Sequence, residues 1–179
     1  GIFAVLGAIR SQAADIPPIH DIATDTANPP VFSQTVLDQR AAAGANPLND
    51  YDTPLGELEM WSESEPPLAD RSHAQVIAAA YPDLAPLPLG STSPAEAAEL
   101  VVSAMEEMGF DQVTADAETG RIEGVAETFW FGFKDDMVVR IADGAIDFRS
   151  VSRVGVSDLG ANAARIAALR DAIAERLNR

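Results

Sequence analysis

The sequence predicts an α+β fold: a two-layer sandwich in which two helices cover one face of an antiparallel sheet of about four strands, preceded by a proline-rich extended arm. Three observations predict it. All 12 prolines lie between Pro17 and Pro94, and none follows. From Gln112 to Ser150 apolar and polar residues alternate around tight-turn signals, which is strand periodicity. Two segments after Ser93 carry apolar residues at helical spacing. The chain of 179 residues is long enough for one domain, and its 47% hydrophobic and 22% charged residues are ordinary globular usage.

Each element has a local cause. Gly1 to Ile9 (GIFAVLGAI) is uncharged and apolar, too short to cross a hydrocarbon core that needs about 20 residues. It reads either as the exit end of a membrane helix or as a short buried helix, and residues 1–15 as the end of a membrane helix or an anchor-proximal segment. Pairs at Pro17-Pro18, Pro29-Pro30 and Pro66-Pro67 force extended backbone, so residues 16–80 read as an arm with little regular structure, wrapped over the domain of residues 81–179. Asn49 to Ser72 carries seven acids and one Arg, the composition of a solvated loop. Within it Leu55, Leu58, Met60 and Trp61 either dock on a partner or tuck onto the protein's own surface.

Ser93-Pro94-Ala95-Glu96 is a capping box with proline at the first helical position, followed by Ala97, Leu100, Val101, Ala104, Met105 and Met108 on one stripe up to Gly109. Gln112–Asp116 and Arg121–Glu127, joined by Glu118-Thr119-Gly120, form a hairpin with Ile122, Gly124 and Ala126 on one face. Phe129, Phe131 and Phe133 fall on one side of an extended run. Met137, Val139 and Ile141 point one way, and Asp143-Gly144 turns the chain into Ile146, Phe148 and Ser150. Asp158 to Asn178 is a helix with Leu159, Ala163, Ile166, Leu169, Ile173 and Leu177 on its stripe. The opposite sheet face carries Arg121, Glu123, Val138, Arg140, Asp147, Arg149, Val151 and Arg153. Such alternating charge predicts a solvated face with cross-strand ion pairs, or else one covered by the arm or by another subunit.

Composition excludes several functions. With 12 Lys plus Arg against 28 Asp plus Glu, the net charge is -16, which disfavours nucleic acid and anionic lipid as partners. The absence of cysteine removes disulfides, thiolate metal sites and cysteine nucleophiles.

Two long stretches go beyond periodicity: GRIEGVAETFWFGFKDDMVVR from Gly120 to Arg140, and DFRSVSRVGVSDLGANAARI from Asp147 to Ile166. They resemble the bacterial domain of unknown function 1499 family, whose members share an aromatic segment before a KDD or DD step and then an R-S-x-S-R-x-G-x-S-D-x-G-x-N run. Here that run is Arg149 to Asn162. The entry IPPIHDIATDTANPP, Ile16 to Pro30, resembles the family's segment just after its membrane helices, whereas Val31 to Ala80 matches poorly. The resemblance implies a domain held on the periplasmic side of the cytoplasmic membrane by a preceding transmembrane segment, and strengthens the membrane-exit reading of Gly1 to Ile9. It implies no activity.

Candidate chemistry is sparse. The two histidines, His20 and His73, lie in the arm, and Ser150, Ser152 and Ser157 lack a nucleophile-elbow context. His20, Asp21 and Asp25 are weak metal candidates, with a packed His20 bonded to backbone as the competing reading. Asp135 and Asp136 are adjacent on a strand and point to opposite faces, against a paired-acid site. What remains is Arg149, Arg153, Gly155, Ser157, Asp158, Gly160 and Asn162. Two arginines at a helix N-terminus could hold a phosphate or carboxylate, or Asp158 could occupy that place and lock a strand-turn-helix joint. The expected function is a non-catalytic extracytoplasmic module without cofactor, working with other membrane or periplasmic protein subunits. The alternative is a small-ligand or lipid-binding module using the space between sheet and helices.

Overall fold

A computed structural model of the chain describes residues 16–128 and 131–179. The readings of Gly1 to Ile9 and of Phe129 lie outside the described residues. Six strands form one antiparallel sheet: β1 (Asp21–Ala23), β2 (Leu87–Pro88), β3 (Asp111–Asp116), β4 (Arg121–Glu127), β5 (Lys134–Ala142) and β6 (Ala145–Ser152). The order is β1-β6-β5-β4-β3, with β2 also on the outer edge of β6. Among the described residues four α-helices accompany them: α1 (Gln34–Ala42), α2 (His73–Ala80), α3 (Pro94–Glu107) and α4 (Ala161–Leu177).

The α+β class and the antiparallel sheet are as the sequence predicts; the counts of about four strands and two helices are too low. The additions come from the proline-rich half. β1 pairs with β6 from Asp21↔Val151 to Ala23↔Arg149, and β2 pairs further along the same edge at Leu87↔Ile146. β1 from the arm and β2 from the segment after it therefore close an edge that would otherwise expose unpaired backbone groups.

Local signals set the other elements. Ser93 Oγ accepts the Glu96 N–H at 3.2 Å and the Glu96 carboxylate accepts the Ser93 N–H at 3.3 Å. With Pro94 at its start, α3 then buries Ala97, Val101, Ala104 and Met105 against the sheet. The β4–β5 register, Arg121↔Arg140 through Glu127↔Lys134, is unbroken and places Ile122, Gly124, Met137 and Val139 on the helical face. α4 begins at Ala161 after Gly160 at φ +84°, so Leu159 stands outside the helix, exposed, instead of on its stripe. Ile166, Leu169 and Ile173 of that stripe are buried, each worth about 1.5–3 kcal/mol of transfer free energy.

The main core lies between the sheet and α3, α4, and continues under the arm. Ile19, Ile22, Tyr51, Leu55, Trp61, Val76 and Ile77 belong to the same cluster as Met105, Phe148 and Ile166. Leu55 and Trp61 are fully covered, and Leu58 and Met60 pack half-buried beside them. The expectation that this quartet docks on a partner is corrected: it fills the protein's own core. The Trp61 indole N–H donates to the Pro18 carbonyl at 2.8 Å. A second cluster on the far side of the sheet, Phe32, Val36, Val138 and Val151, seats α1 there. Among the described residues no helix is long and apolar enough to cross a membrane.

Candidate functional site

The far face of the sheet carries the charges the sequence placed there, but it is not solvated. Glu123, Arg140, Asp147 and Arg149 each meet a group from the arm. Arg140 of β5 donates to Asp25 at 2.9 Å and to the Asn28 carbonyl at 2.8 Å. Glu123 of β4 accepts the backbone N–H of Ser33, the N-cap of α1, at 2.8 Å. Asp147 accepts from the Thr24 hydroxyl at 2.7 Å. The physical reason is desolvation: a charge covered by chain must find a partner within that chain.

Two arginine–aspartate clusters lie at the centre. Arg149 of β6 forks onto Asp21 of β1, Nε to Oδ1 at 3.0 Å and Nη2 to Oδ2 at 2.8 Å, while Nη1 donates to the Pro30 carbonyl at 3.1 Å. Its guanidinium lies 5.3 Å from the Tyr51 ring centroid and 5.7 Å from that of Phe32. The Tyr51 hydroxyl donates to Asp21 Oδ1. Burial acts against the guanidinium charge, but the Asp21 carboxylate outweighs it and holds Arg149 above the ordinary arginine range. Burial, reinforced by the negative charge of Asp21, pushes the Tyr51 phenol well above its usual value.

Asp136 of β5, almost wholly buried, accepts from Arg40 of α1 at 2.7 Å and from both sides of the Arg153 fork at 2.7 and 2.9 Å. The hydrogen bonds to Asp136 raise Arg153 above its ordinary value. Asp135, the next residue, points to the opposite face and pairs with Arg165 of α4. The two acids are thus tied to different layers, as strand alternation requires.

The joint between β6 and α4 is built on the helical side. Asp158 Oδ1 accepts the Gly160 N–H at 2.7 Å and Oδ2 accepts the Asn162 N–H at 3.2 Å. The Asn162 amide donates to Asp158 Oδ2 and to Ser152 Oγ, both at 2.8 Å, and to the His20 carbonyl at 3.3 Å. Its carbonyl oxygen accepts from Ser150 Oγ. Gly155 takes φ +93°, and Ser157 Oγ accepts the Leu159 N–H at 3.3 Å. The anticipated grouping of Arg149 and Arg153 with this helix N-terminus is therefore corrected. Residues 149 and 153 face away from 150 and 152, and each arginine already holds a carboxylate. Asp158 occupies the amides that an anion would use.

The weak metal candidates are also separated. His20 Nδ1 donates to the Val156 carbonyl at 2.9 Å and its ring stacks 5.6 Å from Trp61. Asp21 serves Arg149 and Asp25 serves Arg140. Among the described residues no group of three or more His, Asp or Glu is placed to hold a metal ion. Equally, the space between sheet and helices expected for a small ligand is filled by fully buried Met105, Phe148 and Ile166.

Sequence reasoning missed Arg40, Tyr51 and the environment of His73. Arg40 is the only Lys or Arg between Arg10 and Arg71, a lone cation in an acidic segment and a usable signal for a buried pair. His73 is completely buried, 5.4 Å from the Tyr51 ring and edge-on to Trp61 at 5.2 Å, and neither ring nitrogen has a hydrogen-bond partner among the described residues. Burial lowers its pKa, so the neutral form is favoured.

No curated protein matches the chain. A family model described as protein of unknown function (DUF1499) matches residues 21–173, from the first residue of β1 into the last turns of α4. The matched span takes in Asp21, Arg40, Asp136, Arg149, Arg153 and Asp158, and the chain belongs to the DUF1499 family.

Proposed function

We propose that this is the non-catalytic extracytoplasmic domain of a membrane-anchored protein, serving as an accessory or scaffolding component of a membrane protein assembly. One observation carries it: the reactive-looking groups are tied to one another. Arg149 with Asp21, Arg40 and Arg153 with Asp136, and Arg165 with Asp135 join layers of the fold, and Ser150 bonds to Asn162 where a nucleophile would need a base. Such pairs set shape. They leave the outer surface to carry the function, and the apolar Gly1 to Ile9 supplies the reason to look for that surface at a membrane.

A second reading, a small-ligand or lipid-binding module, is supported by a groove of about 450 Å³ on the outside of α4, lined by Tyr81, Leu84, Gly160, Ala163, Ala167 and Arg170. The buried Tyr81 hydroxyl there has no hydrogen-bond partner among the described residues. Extraction in mild detergent followed by mass spectrometry of everything that co-purifies separates the two. Accessory function predicts stoichiometric protein partners. A lone monomer carrying a bound small molecule would replace it with the second reading.

A further inference from the structure

Seven large apolar side chains are exposed among the described residues, and five of them gather at one end of the sheet: Phe131 (75%), Phe133 (47%), Val154 (59%), Val156 (40%) and Leu159 (77%). The register brings them together. Asp135 pairs with Ser152, and the Arg153 N–H donates to the Lys134 carbonyl at 2.9 Å, so the next step sets Phe133 beside Val154. The Phe131 and Phe133 rings stack at 5.5 Å. A cluster of this kind on a monomer marks a contact surface.

The same end receives the start of the described chain. The Asp158 N–H donates to the Ile19 carbonyl at 3.1 Å, His20 bonds to Val156, and a Cβ on Gly160 would lie 3.8 Å from Ile16. Only Arg10 to Asp15 separate Ile16 from the apolar Gly1 to Ile9, a stretch that reaches about 25 Å at full extension.

We propose that this end of the sheet rests on a lipid bilayer surface, with Phe131, Phe133, Val154, Val156 and Leu159 entering its interfacial layer. The inference rests on the membrane reading of Gly1 to Ile9 for its choice of occupant. Apolar burial drives the contact: the chain's net charge of -16 opposes an anionic surface, so a zwitterionic one fits best. Phenylalanines and branched aliphatics at loop tips suit that depth, and the sheet axis then stands away from the membrane, with the β5–β6 turn at Asp143 and Gly144 farthest from it.

The chain has no cysteine, so single labels test this directly. Leu159→Cys, Phe133→Cys and, at the opposite end, Glu118→Cys are each made in the full 179-residue chain and coupled to an environment-sensitive fluorophore. A histidine tag at Gly1 tethers each to phosphatidylcholine vesicles containing a chelating lipid. The expected result is a blue shift, about twofold brighter emission and quenching by nitroxide-bearing lipid at 159 and 133, with none at 118. Equal, water-like emission at all three positions overturns the proposal. So does a blue shift at 159 that needs no vesicles and grows with protein concentration, since a second copy would then cover the patch. Flotation of the untagged chain, with and without serine at Ile2, Phe3, Val5, Leu6 and Ile9, tests the anchor reading separately, because the tether holds the chain at the membrane whatever that arm returns.

Discussion

Arg149 and Asp21 form a bidentate ion pair between β6 and β1, 128 residues apart in sequence and both buried. The pair joins the proline-rich half of the chain to the sheet. Asp136 repeats the arrangement by taking Arg40 from α1 and Arg153 from the end of β6. Removal of one partner from such a pair leaves an uncompensated buried charge, and that penalty exceeds what the pair itself contributes.

His73 makes stability depend on pH. Burial lowers its folded pKa below the ordinary 6.5, so the unfolded chain binds the proton more readily. The stability is fully present above about 6.5 and declines as pH falls from there through the lower folded value. Both ring nitrogens are unpartnered among the described residues, so His73→Phe removes a buried polar group without breaking any hydrogen bond described there. Urea unfolding should show the wild type weakening between pH 7.5 and 5 and the variant changing less. An identical slope in both would assign the pH dependence to other groups.

The reach of the sequence follows the range of the forces involved. Capping at Ser93 and Glu96, the turns at Glu118-Thr119-Gly120 and Asp143-Gly144, and the alternation of Met137, Val139 and Ile141 are local, and they specify α3 and the two hairpins. β1 was hidden because three residues, Asp21-Ile22-Ala23, acquire strand character only from β6. α2 had a readable signal, Ser72 with Gln75, the same reciprocal cap as Ser93 with Glu96. α1 had less, since its buried residues are Val36 and the charged Arg40. For the far sheet face the alternation leaves a solvated surface and cover by the arm both open, and it cannot choose between them because the partners at Asp21, Asp25, Ser33 and Arg40 lie at positions that strand alternation cannot see. The grouping of the arginines with the start of α4 misleads for the same reason: Arg149 and Arg153 share a motif with Asp158 but point to the other side of the sheet.

Asp158 caps the joint, accepting the Gly160 and Asn162 N–H groups. Asp158→Ala should lower stability by about 1 kcal/mol, by the same amount with and without added phosphate. Melts in the two buffers check this. Phosphate-dependent stabilisation that grows in the variant would restore an anion site at the start of α4.

Gly120 sits at φ +71°, and a Cβ there would lie 2.4 Å from the Ile141 carbonyl oxygen. The Ile141 N–H also donates to the Gly120 carbonyl at 2.8 Å, so neither backbone can withdraw without losing a bond. Gly120→Ala combines the left-handed conformation with a clash, and should cost about 2 kcal/mol or more. Gly144→Ala, with φ +76° and nothing within 4 Å, isolates the conformational part and should be milder. Equal losses in chemical denaturation would mean that the β3–β4 turn shifts to accommodate the methyl.

The central claim is that the arginines and aspartates of the far sheet face bind the arm to the sheet and are not a ligand site. A double-mutant cycle on Asp21→Asn and Arg149→Met, read by urea unfolding, tests it most directly. Asp21→Asn alone should cost about 3–5 kcal/mol, because the guanidinium stays buried without its counter-charge. The double variant should fall short of the sum of the singles by about 2–3 kcal/mol, the coupling expected of side chains in direct contact. Single losses below about 1 kcal/mol that add without coupling would contradict the account, since Asp21 and Arg149 would then contribute nothing to the union of arm and sheet.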